Sequence, residues 1–316
     1  MNKALLPILF VCGRAKFDFV AFGDWGHASD SLSLLMESIN QMCPSRDFVM
    51  LLGDNAYPAG YSSFTDPKFS VFEDVVATGS SVPHYLLLGN HDYLGNVEAQ
   101  IEYSSKDSRW VLPQRYYKQT LEKDGTRMCM IFLDTVHFGS DQITWLHDQL
   151  KLPDCSTDTA WVIVSGHYPI WSAGAYSDSP ELKANLLPLL ETHNVPLYLC
   201  GHEHLHEVFY NGKLVQVVSG ASADPRKAIQ FISHELHVWG VSGTNVTGFV
   251  HLTANQDHLS VRIIPAKTRE DLIAFAIPRS QQEGQSPFDH ITWTNKGSEQ
   301  PILSSLLVFF FMLISF

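Results

Sequence analysis

Short apolar runs recur along the chain, each followed by a turn and then by an amphipathic stretch. Phe17 to Phe22, Phe48 to Leu52, His84 to Leu88, Met128 to Leu133, Trp161 to Ser165 and Leu197 to Cys200 predict strands. Helical spacing and caps predict helices over Ser29 to Met42, Asp66 to Ala77, Val97 to Ser104, Asp141 to Leu150 and Glu181 to His193, the last bent at Pro188. Leu214 to Val218, Leu236 to Val241, Phe249 to Thr253 and Leu259 to Ile264 read as strands without intervening helices, the last two joined by a hairpin-like Ala254 to His258. Beyond Pro265 the periodicity fades, and the polar, turn-rich Gln281 to Glu299 reads as a stalk. Alternating strands and helices followed by a run of strands predict an α/β (α+β) fold. The expected architecture is a four-layer αββα sandwich, two mixed sheets packed face to face with helices outside. Chemistry is then expected at the C-terminal strand ends.

A chain of 316 residues, 45% hydrophobic and 17% charged, is long enough for one large core, and a single domain over 16–280 is the expectation. The net charge of -12 argues against a nucleic-acid surface, which needs clustered Lys and Arg. Residues 1–15 combine Lys3, the apolar Ala4 to Cys12 and small residues at Gly13 and Ala15, the pattern of a cleaved signal peptide. Behind the stalk (281–301), the tail 302–316 is almost wholly apolar. At roughly 22 Å as a helix it falls short of a ~30 Å hydrocarbon core. A glycolipid attachment signal, a short single-span anchor and a buried terminal element are three readings of it. Both ends point to the secretory route, with a secreted, lysosome-like or cell-surface monomer as the expectation. Cys129 and Cys200 lie in apolar strands and read as buried thiols, whereas Cys43 and Cys155 lie in loop-like sequence where a bridge is allowed. Asn245-Val246-Thr247 is a glycosylation sequon.

Candidate chemistry sits at five successive strand ends: Asp24; Asp54 with Tyr57; Asn90 with His91; His167; and His202 with His204. Burying so many carboxylates and imidazoles without compensating cations would be prohibitive, so the pattern predicts a metal site rather than satisfied core polar groups. The number of ligands suits two ions, and mixed oxygen and nitrogen donors without a thiolate suit iron, zinc or manganese. Asp54 can bridge two cations. Tyr57 can bind as phenolate only beside a strongly polarising ion, because a free phenol titrates near ~10. Two such cations a few ångströms apart serve phosphate-ester hydrolysis.

Gly23-Asp24-Trp25-Gly26, Gly53-Asp54-Asn55-Ala56-Tyr57, Gly89-Asn90-His91-Asp92, Gly166-His167-Tyr168-Pro169 and Gly201-His202-Glu203-His204 resemble the five blocks of the purple acid phosphatases, within the calcineurin-like metallophosphoesterases. The likeness is strongest to the small tartrate-resistant acid phosphatases and runs from about Phe17 to Ile264. The resemblance implies a metallophosphoesterase fold and a ferric ion held by Asp24, Asp54, Tyr57 and His204. A divalent iron, zinc or manganese would be held by Asp54, Asn90, His167 and His202. It also implies that His91 contacts the substrate phosphate and protonates the leaving group, a role that suits an imidazolium in mild acid.

The chain departs from that pattern in places. Ala173-Gly174-Ala175-Tyr176 stands where many members carry a histidine, and Tyr176 aligns with it as a candidate substrate contact. Ala56 replaces a bulky aromatic and is expected to widen the pocket. The segment from Asp134 to Gln142 is too short for the long loop that covers the site in some members, and His27 and His206 read as surface or packing residues. The expected activity is hydrolysis of small phosphomonoesters or phosphoproteins by acid phosphatase chemistry. A phosphodiesterase or nucleotidase is the runner-up, and a membrane-tethered, catalytically weak scaffold with the same fold is the reading from another class.

Overall fold

The apolar runs become strands whose alternate residues are buried on opposite faces, and this is why each sheet needs a cover on both sides. A computed structural model describes residues 17–227, 229–279, 286–288 and 291–293. The signal-like segment and the apolar tail lie outside the described residues. In chain order the elements are β1 (Phe17–Phe22), α1 (Asp30–Met42), β2 (Phe48–Leu51), β3 (His84–Leu86), α2 (Val97–Tyr103), β4 (Trp110–Val111), β5 (Tyr117–Lys123), β6 (Thr126–Phe132), α3 (Ser140–Leu150), β7 (Trp161–Ser165), α4 (Pro180–Asn185), α5 (Leu187–Thr192), β8 (Leu197–Cys200), β9 (His206–Tyr210), β10 (Val215–Ser219), β11 (His237–Val241), β12 (Gly248–Ala254), β13 (His258–Pro265), β14 (Ile273–Pro278) and β15 (Thr292–Trp293).

Eight strands form one sheet in the order β15-β14-β13-β12-β1-β2-β3-β4, and seven form the other, β11-β9-β10-β8-β7-β6-β5. Both are mixed. In the first, β1, β2, β3 and β4 run parallel while β12 to β15 add antiparallel; in the second, β6, β7, β8 and β10 are parallel. The sheets meet through aromatic side chains. Phe19 stacks on Phe48 at 4.5 Å between ring centres, Phe48 meets Tyr85 at 5.6 Å, and Tyr85 crosses to Phe132 of the other sheet at 5.9 Å. Tyr117 also crosses, its hydroxyl donating to the Leu86 carbonyl at 2.8 Å.

On β6 the alternation is plain: Met128, Met130 and Phe132 enter the core between the sheets, while Cys129, Ile131 and, just past the strand, Leu133 join Leu146, Leu182 and Leu190 of α3, α4 and α5. The outer face of the first sheet is covered by α1, α2 and an aromatic cage in which Phe72 meets Trp25, Trp110 and His84. These are the four expected layers. At this level the expectation holds.

Four local expectations are corrected. Asp66 to Ala77 forms a 3-10 turn (Pro67–Phe69) and a π-helical turn (Val71–Val76) instead of one α-helix, with Phe69 and Phe72 both against Trp110. Glu181 to His193 divides at Leu186 into α4 and α5, since Pro188 has no N–H to continue the helix. The strand order extends beyond Pro265 through β14, where Ala274 and Ala276 weaken the apolar contrast that marks a strand. Part of the segment read as stalk also joins the fold: β15 pairs with Ile273 and Ala274, and Phe288 packs against Tyr210 and Phe275.

The cysteine pairing differs as well. Cys129 is bridged to Cys155, with 5.2 Å between the Cα atoms, while Cys43 and Cys200 are free and buried. Cys129 faces the helical layer, and the turn after α3 carries Cys155 back across that face, so the bridge fastens the β6-α3-β7 crossover to its own sheet. Sequence separation, not loop character, hid this pair. Closing a 26-residue separation removes denatured-state entropy worth about 3 kcal/mol. Replacing Cys129 and Cys155 together by serine should therefore lower Tm by about 5 °C in calorimetry. An unchanged Tm would show that the bridge contributes no net stability.

Candidate metal centre

Five strand ends of two sheets converge because the parallel strands β1, β2, β3, β7 and β8 all finish on the same side of the sandwich. The chain turns sharply there. Asp24, Asp54 and His202 take left-handed backbone conformations, with φ of 59°, 54° and 68°. Such conformations disfavour side chains larger than glycine and are concentrated at functional sites. Crowding explains two of the adjacent glycines: a Cβ on Gly89 would lie 2.2 Å from Asp54 Oδ1, and one on Gly201 2.6 Å from Asp24 Oδ2.

The donors fall into two groups. Around Tyr57 the phenolic oxygen lies 3.1 Å from Asp24 Oδ1, 2.8 Å from Asp54 Oδ2 and 3.2 Å from His204 Nε2. Around Asn90 the amide oxygen lies 3.1 Å from both His167 Nε2 and His202 Nδ1. Asp54 joins the groups: its Oδ2 faces Tyr57 and its Oδ1 is 3.5 Å from His167 Nε2. All seven predicted ligands are thus brought together, with one carboxylate spanning two halves. Ligand atoms of Asp24, Asp54 and His167 lie within 4.8 Å of one another.

Backbone carbonyls fix the imidazoles. His167 Nδ1 is 2.9 Å from the Leu52 carbonyl and His204 Nδ1 is 2.6 Å from that of Asp224, so each Nδ1–H is used there and Nε2 is turned inward. The carboxylates are oriented by peptide N–H groups, His202 N to Asp24 Oδ2 at 2.8 Å and His91 N to Asp54 Oδ1 at 2.9 Å.

This donor set fits cations. A phenol has one proton, yet three acceptors lie within 3.2 Å of the Tyr57 oxygen. Burial first, then the charges of Asp24 and Asp54, push the Tyr57 phenol far above its ordinary value, so it ionises only against a strongly polarising ion. Burial opposes charge on His167, but Asp54 outweighs it and lifts the imidazole to about 9. The same pair holds Asp54 well below the usual carboxylate range, against the upward push of its burial. The carboxylates therefore draw positive charge to the His167 Nε2 position, where a metal ion would displace a proton. Burial and the neighbouring His167 lower His202 to about 3, leaving it neutral and able to ligate.

His91 stands beside the Tyr57 ring at 4.6 Å, with Nδ1 2.6 Å from the Pro58 carbonyl. Tyr176 is 44% exposed and stacks on His202 at 4.4 Å, which makes it a rim residue. Ala56 is fully buried and does not line the open cleft of about 370 Å³ formed by His27, Tyr57, Pro58, His204 and Asp224, so the expected widening is not where it acts. His206 is a packing residue, buried with Nε2 3.1 Å from the Val246 carbonyl. His27 instead helps to line the cleft, edge-on to Tyr57.

Sequence reasoning missed the residues that hold the ligands. Asp92 accepts from the backbone of Asn55 and Gly89 and from Gln100, tying the second and third blocks together. Buried Glu203 accepts from the Ser172 hydroxyl and the Tyr176 N–H, tying the fourth block to the fifth. Both lie inside motifs already singled out, and a charged residue flanked by ligands was the available signal. Arg226, whose backbone N–H donates to the His204 carbonyl at 3.0 Å, left no signal, since no motif surrounds it.

Residues 17–206 match the calcineurin-like phosphoesterase family. The chain is 32% identical to tartrate-resistant acid phosphatase type 5 of Homo sapiens, over 88% of this chain and 96% of that protein. It is 32% identical to purple acid phosphatase 4 of Arabidopsis thaliana, over 60% and 62% respectively. Among solved structures, GAP50, described as the anchor in the inner membrane complex of Plasmodium, shares the fold with a TM-score of 0.76 at 20% identity, covering 87% of this chain and 93% of that one. The purple acid phosphatase PPD1 of yellow lupin does so with a TM-score of 0.64 at 18% identity, covering 83% and 53%.

Proposed function

We propose that this chain, which belongs to the calcineurin-like phosphoesterases and within them to the purple acid phosphatases, hydrolyses phosphate monoesters as a metal-dependent acid phosphatase. The observation that carries the proposal is the pair of ligand groups joined by Asp54. Asp24, Asp54, Tyr57 and His204 would hold a ferric ion, and Asp54, Asn90, His167 and His202 a divalent iron, zinc or manganese. Such a pair, when bound, supplies Lewis acidity and an activated water to an in-line displacement at phosphorus.

The protein's own contribution is to position and to protonate. Pro58 takes the His91 Nδ1–H, so Nε2 is the atom left to carry a proton to the departing alkoxide. Leu52 and Asp224 prevent His167 and His204 from rotating, and Asp92 keeps the second and third ligand blocks in register. The cleft beside Tyr57 is open, which suits leaving groups of varied size, including small phosphomonoesters and phosphoproteins. A phosphodiesterase or nucleotidase would use the same centre, and a substrate profile separates it. The scaffold reading has a fold neighbour in the GAP50 anchor, but the complete ligand set favours an enzyme.

The Cys129–Cys155 bridge supports an oxidising compartment and hence the secretory route. Asn245 of the sequon is exposed, which suits a glycan. Membrane attachment through residues 302–316 belongs to the same proposal. Among the described residues no helix is long and apolar enough to cross a membrane. Protein alkylated on release from its cells should carry label on Cys43 and Cys200 after denaturation and none on Cys129 or Cys155; label on all four would contradict that compartment.

His91→Ala should lower kcat by roughly 10² to 10⁴ on alkyl phosphates, whose leaving groups need a proton, and much less on activated aryl phosphates. Metal content should stay unchanged. Equal losses on both substrates would make His91 a binding residue rather than the acid.

A further inference from the structure

The floor of the centre is built from Asp24, Asp54 and Tyr57, which present only oxygen atoms, so phosphoryl oxygens that point away from it need donors at the rim. Arg226 stands at that rim. Its backbone N–H donates to the His204 carbonyl at 3.0 Å, and the neighbouring Asp224 carbonyl is the one that fixes the His204 ring. Its Nη2 donates to the Tyr176 hydroxyl at 2.6 Å, and its guanidinium carbon lies 4.7 Å from the centre of the Tyr176 ring, which itself stacks on His202. One residue is therefore attached to ligands of both groups, through backbone to His204 and through Tyr176 to His202.

Its charge is free for use. Arg109, Arg115, Arg127, Arg262 and Arg269 each pair with a carboxylate, whereas among the described residues Arg226 makes no such ion pair; Arg46 and Arg279 make none either, but they lie against Asn40 and Trp161, away from the centre. A guanidinium offers paired N–H donors matched to phosphate oxygens and keeps its charge at any physiological pH.

We infer that Arg226, stacked on Tyr176, is the cationic contact that binds the substrate's phosphoryl oxygens at the rim of the metal centre. The inference rests on the phosphate-ester reading above, with Tyr176 as the platform that aims the guanidinium and not itself the principal phosphate donor. Arg226 differs in kind from His91, since it holds the phosphoryl group in both ground and transition states and transfers no proton. Its loss should therefore appear in binding rather than in turnover.

The test uses the full, metal-loaded chain, with inorganic phosphate binding followed by calorimetry and p-nitrophenyl phosphate turnover followed in parallel. Arg226→Gln should weaken phosphate binding by about 10- to 100-fold, the usual loss for a charge-assisted contact, and raise KM alike. Its kcat should stay within about threefold and its metal content should be unchanged. Arg226→Lys should recover part of the loss. Unaltered phosphate affinity in Arg226→Gln would overturn the inference, and so would loss of metal from that variant, which would make Arg226 a structural clamp on the His204 segment. Wild-type protein that binds phosphate through Arg226 but does not turn over monoesters would leave this inference standing and contradict the acid phosphatase reading instead.

Discussion

Two carboxylates, Asp24 and Asp54, are buried at 0% and 2% exposure at the place where the two sheets bring their strand ends together. Charge in such a position costs several kcal/mol per ion unless it is matched. The contacts around the pair answer that constraint. Peptide N–H groups of His91 and His202 satisfy one oxygen of each, and the Tyr57 hydroxyl with the inward Nε2 atoms of His167 and His204 faces the pair from the other side. Such a shell needs cations, and the turns with left-handed Asp24, Asp54 and His202 serve to bring the donors together. Asp92, Gln100, Asn55 and Glu203 form the next ring, holding the ligand loops to one another with buried hydrogen bonds.

What was legible in the sequence follows from how local its cause is. Buried parallel strands must be short and apolar, and a ligand at a strand end must follow a turn, so Phe48 to Leu52 with Asp54 and Tyr57 announces itself. The five blocks gave all seven candidate ligands, which the fold brings together, for that reason. β5 was hidden because an edge strand pairs on one side only, and Tyr117–Lys123 carries the polar residues an edge tolerates. β9 was hidden because it begins at His206, immediately after the ligand block, where chemistry obscured the pattern.

Contacts distant in sequence were not legible. Cys129 pairs with Cys155 because a crossover returns over its own sheet, a fact of topology that neither residue's neighbourhood records. Arg226 reaches Tyr176 across 50 residues of chain, through a loop whose other task is to hold His204. The same distance separates what the motifs specify, the ligands, from what sets them apart in this chain, the rim. His91 and the ligand set are shared with the family pattern, whereas the Tyr176–Arg226 pair stands where that pattern expects a histidine.

The proposal that this shell holds a ferric ion beside a divalent one is measurable through Tyr57. A phenolate bound to ferric iron absorbs visible light by charge transfer, which carboxylate, amide and imidazole ligands do not match. The deciding measurement is the visible spectrum of the purified protein together with its metal content. The account predicts iron plus a second metal and a visible band that Tyr57→Phe removes. A colourless, active protein with two zinc or two manganese ions and no iron would contradict it.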